Sequence, residues 1–439
     1  MAASEPNPAR HDARIDRLRD LLRTVVATNS FYQKHWAGTD VVEGWRTLAE
    51  FAQRVPVTCK SDLVRDQTAH PPYGSNLTFP LERYTRCHGT SGTSGRPIRW
   101  LDTPESWDWM LGNWRCVYRA AGVTRADRVF FAFSFGPFLG FWTAFESALG
   151  LGCLCLPGGG MTSVARLRSL LEQRATVLCC TPTYALHLGD VAQQQGIDLS
   201  ALELRRILVA GEPGGSVPAV RASIQARWPG ARVFDHHGMT EVGPVSYECP
   251  AQPGVLHVIE DSYVAEVLDS GSAADGTAER TGELVLTTLG RVGSPLVRYR
   301  TGDLVRARRG RCPCGTDDLA LVGGVLGRTD DMVVVRGVNV FPGAVDDVVR
   351  EAGGVAEYQA EIVREGSLLA LRLVVEPAPG GASGADVART LEDLFQSRLA
   401  LRVPVRLVAG GTLPRFEMKA RRWVRLDGVG SEAGTAGAA

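Results

Sequence analysis

The chain has 439 residues, 44% of them hydrophobic, and its 48 basic and 48 acidic side chains cancel to a formal net charge of zero. That length exceeds what one hydrophobic core usually serves, so at least two domains are expected, and the balanced charge favours neither nucleic acid nor an acidic membrane surface as a partner. No apolar run approaches the length of a membrane span and the first twenty residues carry charge throughout, so no span or secretory signal is read and a cytoplasmic location is expected.

In chain order, Ile15, Leu18, Leu21, Leu22, Val25 and Val26 recur at helical spacing and predict a helix over residues 10–36. Residues 56–63 read as a turn into a short helix capped by Ser61. Next comes a stretch dense in glycine and hydroxyl groups: His88, Gly89, Thr90, Ser91, Gly92, Thr93, Ser94, Gly95, Arg96, Pro97. Glycines let backbone approach a ligand closely, successive N–H groups form an anion nest, and a guanidinium can close it over a phosphate. The nucleotide loop that ends in Gly-Lys-Ser/Thr and runs into a helix is excluded, because residues 97–101 read as a strand. A phosphate nest and an ordinary polar loop are the two readings of this stretch taken alone.

Pro104 opens a second helix, to residue 121, with Thr103 as its cap. From there strands (128–133, 153–156, 177–181, 206–210, 232–235) alternate with helices (140–150, 164–174, 184–195, 217–228), which argues for α/β layers around a largely parallel sheet. Ligands in such sheets gather at the carboxyl ends of the strands. That edge would carry residues 133–137, Thr181, Ala210, Gly211, Glu212, Pro213, Asp235, His236 and His237. After about residue 255 the pattern changes to antiparallel strands (264–268, 282–287, 296–299), then to a β/α segment from 332 to about 427. The expected division is an N-terminal domain over 1–329, a small mobile α+β lid over 330–427 and a disordered tail over 428–439.

Lysine occurs only at positions 34, 60 and 419, the other basic charge being arginine. A lysine that persists in such a chain is a candidate for work needing a compact ammonium, with chance survival as the alternative. The ten cysteines are scattered and mostly in apolar runs, as buried reduced thiols would be; Cys312 and Cys314 stand apart in a tight Pro/Gly loop.

Four further stretches carry reactive side chains: His237 to Glu241, Tyr299 to Asp303, Gly327 to Asp331, and Pro414 to Lys419. In order and spacing they resemble the AMP-forming adenylating enzymes, namely acyl-CoA synthetases, adenylation domains and luciferases. The chain is most similar to the phenylacetate–CoA ligase family through residues 56–63, Arg298 to Thr301, and Arg336 to Pro342. The resemblance covers roughly residues 10–427. It implies a large α/β domain with layered parallel and mixed sheets, a small β-barrel-like part and a mobile α+β C-terminal domain.

The resemblance also implies a two-step reaction. A carboxylate attacks the α-phosphate of ATP to give an acyl-adenylate and pyrophosphate, and a thiol then displaces AMP. Thr90, Ser91, Gly92, Thr93, Ser94, Gly95 and Arg96 would hold the β/γ-phosphates, Glu241 would ligate Mg²⁺ and Thr240 would meet the α-phosphate. Gly211, Glu212, Pro213, Asp235, His236 and His237 would line the nucleoside slot, Asp303 would accept from the ribose hydroxyls and Arg328 would lie beside it. Lys419 would reach the α-phosphate and substrate carboxylate, and Asp330 would be the hinge. Two positions depart from the family pattern: Met418 stands where a glycine precedes the lysine, and His237 where an aromatic residue precedes Gly238.

For the acid, Phe135, Gly136, Phe138, Phe141, Ala210, Gly211 and His237 would form a flat slot for an aryl or arylacetic acid; packing in the core is the alternative for each aromatic. Cys249, His257, Cys312 and Cys314 form a candidate closed site for structural Zn²⁺, and some members of the family carry such a knuckle; free thiols are the alternative. The expected partners are the small aromatic acid and coenzyme A, with a carrier-protein thiol or an amine as the other acceptors. No nucleic acid or membrane is expected, and a homodimer is left open. A catalytically impaired nucleotide-binding relative is the competing reading from another class.

Overall fold

The structure is a computed structural model that describes residues 8–90, 97–269, 279–329, 333–336, 338–365, 368–381, 383–416 and 422–426. It divides into two compact units, Met1–Leu326 and Gly327–Ala439.

The first unit opens with the helix Pro8–Thr28, whose Leu18, Leu22 and Val25 are fully buried. The single helix expected to residue 36 is broken at Asn29, which caps a second helix, Ser30–His35, by accepting from the Tyr32 N–H. Asn29 is itself fully buried and donates to Asn76 Oδ1 at 3.0 Å. A short amide side chain that satisfies backbone locally competes with the helix, and here tertiary partners hold it in that state. The helix Lys60–Ala69 is capped at Cys59, whose N–H donates to Asp62 Oδ2 at 2.8 Å, so Ser61 lies inside the first turn and is not the cap. The hairpin Arg86–Gly89/Arg99–Asp102 pairs antiparallel, with Gly89 opposite Arg99. The helix Pro104–Ala120 has Thr103 as cap, accepting from Ser106 N–H, and Pro104 in its first turn, as the sequence predicts.

The alternating segment builds a parallel five-stranded sheet in the order Leu154–Pro157, Arg128–Phe131, Val177–Cys180, Arg206–Val209, Arg232–Asp235. Phe130, Leu178 and Ile207 point into one core with the helices Pro182–Gln194 and Pro218–Arg227, and Val129, Phe131 and Cys179 into another with Trp114, Tyr118 and Ala148. A strand buried on both faces has no polar side, which is why these runs read as continuously apolar. A six-stranded sheet follows, in the order Ser246–Glu248, Val255–Val258, Ala320–Arg328, Tyr299–Arg308, Glu279–Thr288, Tyr263–Asp269. Its apolar face shares a core with the N-terminal helices through Leu22, Tyr32, Leu284 and Tyr299. The strand predicted at 296–299 begins only at Tyr299, because Arg298 takes a positive φ of 47° and donates to Glu266 and the Val55 carbonyl.

In the second unit a four-stranded sheet runs Val405–Leu407, Leu368–Pro377, Val355–Glu365, Trp423–Leu426, and the helices Pro342–Ala352 and Gly384–Leu399 pack on it through Val345, Leu391 and Phe395. No helix among the described residues is long and apolar enough to cross a membrane.

Candidate active site

The parallel strands end at Phe131, Cys180, Val209 and Asp235. Register therefore brings residues 133–137, Thr181, Ala210 to Pro213 and His236 to Gly238 to one edge, and every other part of the site is arranged about it.

The hairpin Arg86–Gly89/Arg99–Asp102 joins that edge through the Gly89 N–H, which donates to the Pro137 carbonyl at 2.9 Å. Thr90 closes the base of its loop: the Thr90 N–H donates to the Ile98 carbonyl and Thr90 Oγ1 accepts from the Ile98 N–H, both at 3.0 Å. The hydroxyl predicted to meet a phosphate thus accepts from the backbone of Ile98 and keeps its own proton to donate. Ser91, Gly92, Thr93, Ser94, Gly95 and Arg96 lie outside the described residues. His88 stacks on Trp107 with centroids 5.2 Å apart, and burial holds its imidazole down at about 4, so it is neutral.

Gly238–Met239 pairs with Gly243–Pro244 in a minimal hairpin that presents Thr240 and Glu241 at its tip. Glu241 is 7% exposed and its Oε1 lies 3.4 Å from Lys60 Nζ. The carbonyls of both tip residues accept from Arg291 Nη1, at 2.7 and 2.8 Å. The other edge of that guanidinium makes a two-pronged pair with Asp102, at 2.7 Å each, and both side chains are fully buried. Arg291 therefore fixes the glycine-rich hairpin, through Asp102, against the Thr240–Glu241 tip. No sequence motif marked it; a lone arginine in a loop acquires meaning only once it is seen buried against a carboxylate. Lys60 had a signal, its survival in a lysine-poor chain. Lys34, by contrast, lies at the surface beside the exposed His70, at 3.2 Å.

The predicted nucleoside residues divide in two. Asp303 (4% exposed) and His237 come together, Nε2 to Oδ2 at 2.9 Å. Asp235, His236 and Glu212 turn their side chains elsewhere. Asp235 accepts from Ser216 Oγ at 2.6 Å and packs so tightly on Gly215 that a Cβ there would sit 2.5 Å from its carboxyl carbon. Burial, with the nearby Glu248 charge, raises its carboxyl to about 7 against the pull of Ser216 and Arg221. His236 lies edge-on to Trp114 at 4.3 Å, and burial lowers its imidazole to about 3. Glu212 accepts from the Thr183 N–H at 2.7 Å, at the positive end of the helix Pro182–Gln194. Gly211 has φ of 93°, which a residue with a Cβ adopts only with strain.

Phe133 and Phe141 stack at 4.2 Å, Phe138 meets Phe141 edge-on at 6.0 Å, and Phe135 contacts Trp142 and Phe145. The Trp142 indole N–H donates to the Gly136 carbonyl at 2.9 Å. The three predicted slot phenylalanines thus share one half-buried aromatic cluster with Phe133, Trp142 and Phe145, and of its members Phe133, Phe135 and Phe145 also pack against the buried core. Arg328 ends the strand Ala320–Arg328 in the second unit, while Asp330 and Lys419 lie outside the described residues.

Cys249, His257, Cys312 and Cys314 converge so that their four ligand atoms lie within 4.8 Å of one another. Cys249 and Cys312 Sγ are 3.5 Å apart, as are Cys314 Sγ and His257 Nε2. His257 Nδ1 faces the Asp318 carbonyl at 3.3 Å, which fixes the ring with Nε2 toward the thiols.

The family model described as the AMP-binding enzyme C-terminal domain matches residues 337–425. The phenylacetate–coenzyme A ligase of Pseudomonas putida is 30% identical over 419 residues, covering 92% of each chain. That of Thermus thermophilus is 33% identical over 367 residues, covering 82% of this chain and 80% of its own. Among solved structures, 2-hydroxyisobutyryl-CoA ligase in the postadenylation state, in complex with R3-HIB-AMP, matches with a TM-score of 0.87 at 28% identity. That match covers 96% of this chain and 91% of the other.

Proposed function

We propose that this chain, which belongs to the phenylacetate–coenzyme A ligase family of AMP-forming enzymes, activates an aryl or arylacetic acid as its acyl-adenylate and transfers the acyl group to coenzyme A. The observation that carries the reading is the Arg291 junction. It ties the glycine-rich hairpin to the Thr240–Glu241 tip, at the sheet edge that also holds the Asp303–His237 pair. Adenylation is difficult because two anions must be held in line while charge develops on phosphate, so positioning and electrostatics supply most of the catalysis.

In this reading Thr90 and residues 91–96 grip the β/γ-phosphates. Glu241 offers the single hard carboxylate that Mg²⁺ favours alongside phosphates and water. Thr240 meets the α-phosphate, the backbone at Gly211 to Pro213 and Asp235 to His237 lines the nucleoside, and Asp303, with Arg328, takes the ribose. Lys419 neutralises charge at the α-phosphate, on a domain of residues 330–427 that turns about Asp330.

The aromatic cluster at Phe133, Phe135, Phe138, Phe141, Trp142 and Phe145 supports a flat acid. Pyrophosphate exchange over a panel of aryl, arylacetic and short 2-hydroxy acids tests it. The highest kcat/KM is expected for an aryl or arylacetic acid, and exchange confined to aliphatic hydroxy acids would overturn the aromatic assignment. Formation of a CoA thioester separates coenzyme A from a carrier-protein or amine acceptor.

We also assign the Cys249–His257–Cys312–Cys314 cluster to a closed structural zinc. A tetrahedral ion with Zn–S of about 2.3 Å sets its ligand atoms roughly 3.5 to 4 Å apart, and the Cys249–Cys312 and Cys314–His257 edges are 3.5 Å. It would join the hairpin Ser246–Glu248/Val255–Val258 to the loop before Ala320, with no open position for chemistry. One zinc per chain is expected by metal analysis, and Cys312→Ser should remove it; unchanged metal content would sink the assignment.

A further inference from the structure

We infer that Glu376 and Glu357, buried cross-strand neighbours in the second unit, are positioning residues for adenylation. They hold Arg415 and Arg422, one on each side of Lys419, and so fix both ends of the segment that carries that lysine. The inference deepens the proposed function, resting on the reading of Lys419 as the lysine of adenylation.

The two glutamates lie directly opposite each other in the paired strands Val355–Glu365 and Leu368–Pro377. A bulge puts them there. Val355 faces Pro377, the next pair is Glu357 with Glu376, and Ala356 is the extra residue between them. Without it Ala356, not Glu357, would oppose Glu376. Glu376 is fully buried and Glu357 is 8% exposed, and like charges directly opposite one another destabilise a sheet. Elsewhere the same strands bury Ala360, Leu371, Leu373 and Val375, so packing alone calls for no acid here.

The offsetting charges come from one stretch of chain. Arg422 makes a two-pronged pair with Glu357, Nε to Oε1 at 2.6 Å and Nη2 to Oε2 at 3.2 Å, and lies over the Tyr358 ring at 5.3 Å. Glu357 Oε1 also accepts from the Tyr358 N–H at 2.9 Å, and the Arg422 carbonyl accepts from the Ala360 N–H at 2.7 Å. Arg415 donates to Glu376 Oε2 at 2.5 Å through Nη2 and to the Leu413 carbonyl at 3.0 Å through Nη1. The same carboxylate accepts from the Gly411 N–H at 3.1 Å and from the Leu413 N–H. Glu376 thus gathers donors from Gly411, Leu413 and Arg415, and Glu357 fastens the chain again at Arg422. Lys419 lies four residues after the first anchor and three before the second. A lysine stem is flexible, so the fold can direct its ammonium only by fixing the backbone that bears it. A misplacement of about 1 Å in a reacting arrangement can cost on the order of a hundredfold in rate.

Two half-reactions are compared in the full chain and its Glu376→Gln, Glu357→Gln, Arg415→Gln, Arg415→Lys and Lys419→Ala variants. One is pyrophosphate exchange with the best acid; the other is thioester formation from presynthesised acyl-adenylate and coenzyme A. A glutamine offers one acceptor oxygen where a carboxylate offers two. Each glutamate variant should lower kcat for exchange at least about tenfold. The KM for ATP and the rate of thioester formation should both stay within about threefold of wild type. Arg415→Lys should recover part of what Arg415→Gln loses. In the Lys419→Ala background Glu376→Gln should add less than about twofold, because the clamp acts through the lysine. Should a glutamate variant fail to fold, as its urea midpoint would show, Arg415→Gln carries the same test, since 42% of that side chain is at the surface. Equal loss in both half-reactions, a loss that persists in the Lys419→Ala background, or no loss in any clamp variant overturns the inference and leaves the adenylation lysine in place. If Lys419→Ala itself leaves exchange unchanged, the reading of Lys419 fails and the inference falls with it.

Discussion

Asp235 ends the last parallel strand with its carboxyl enclosed by Ser216, Gly215 and the Glu248 charge. Its ordinary value of 3.8 is raised to about 7, chiefly by burial. The folded state therefore holds this proton more tightly than the unfolded chain does. Stability tied to the group is fully present below about pH 4 and is lost progressively as pH rises through about 7. Asp235→Asn removes the titrating proton, so urea midpoints of variant and wild type should diverge across that window in favour of the variant, by on the order of 2–4 kcal/mol. A difference that is flat with pH would mean that Asp235 is ionised in the fold throughout. The sequence placed Asp235 correctly at the edge of the sheet but left its direction undetermined. A side chain at a strand end can face the ligand or the helix layer, and the space left by Gly215 decides which.

At the scale of elements, the junction that registers the glycine-rich hairpin against the Thr240–Glu241 tip is a fully buried ion pair, Asp102 with Arg291. Breaking such a pair from one side leaves an uncompensated buried charge, at about 3–5 kcal/mol, whereas replacing both partners by apolar residues of similar volume is close to neutral. Arg291→Met should therefore lower the urea midpoint markedly with an unchanged m-value, and Asp102→Leu/Arg291→Met should restore most of it. The double variant should still be slow in pyrophosphate exchange, because the Thr240 and Glu241 carbonyls have lost their donor. Recovery of full activity with stability would reduce Arg291 to a packing role. Periodicity and strand alternation made the parallel sheet and the residues at its carboxyl edge legible in the sequence, and the Thr-Pro pair did the same for the cap at Thr103. That local reading did not show the break at Asn29, the cap at Cys59 or the delayed start of the strand at Tyr299. The break turns on Asn76, far along the chain, and the late strand on the positive φ of Arg298, neither of which local propensity encodes. The Cys59 cap is local, made by the Asp62 carboxylate three residues on, where a serine hydroxyl is the more familiar cap.

At the scale of the molecule, the residues assigned to catalysis are divided between two compact units, Met1–Leu326 and Gly327–Ala439. Thr240, Glu241, His237 and Asp303 belong to the first, and Lys419 to the second. That division makes the two half-reactions separable. In adenylation a lysine offsets charge developing between carboxylate and α-phosphate; in thiol transfer that charge has already gone with pyrophosphate, and AMP leaves from an activated ester. Lys419→Ala should therefore slow pyrophosphate exchange by at least about a hundredfold, the scale of one preorganised charge stabiliser. Thioester formation from a presynthesised acyl-adenylate and coenzyme A should stay within about threefold of wild type, since an interaction made in one transition state is absent from the other. Rapid-quench measurement of both steps on the full-length variant decides it. Equal loss in the two steps would place Lys419 in general nucleotide binding, and loss in neither would leave adenylation to Lys60 and Mg²⁺ in the first unit.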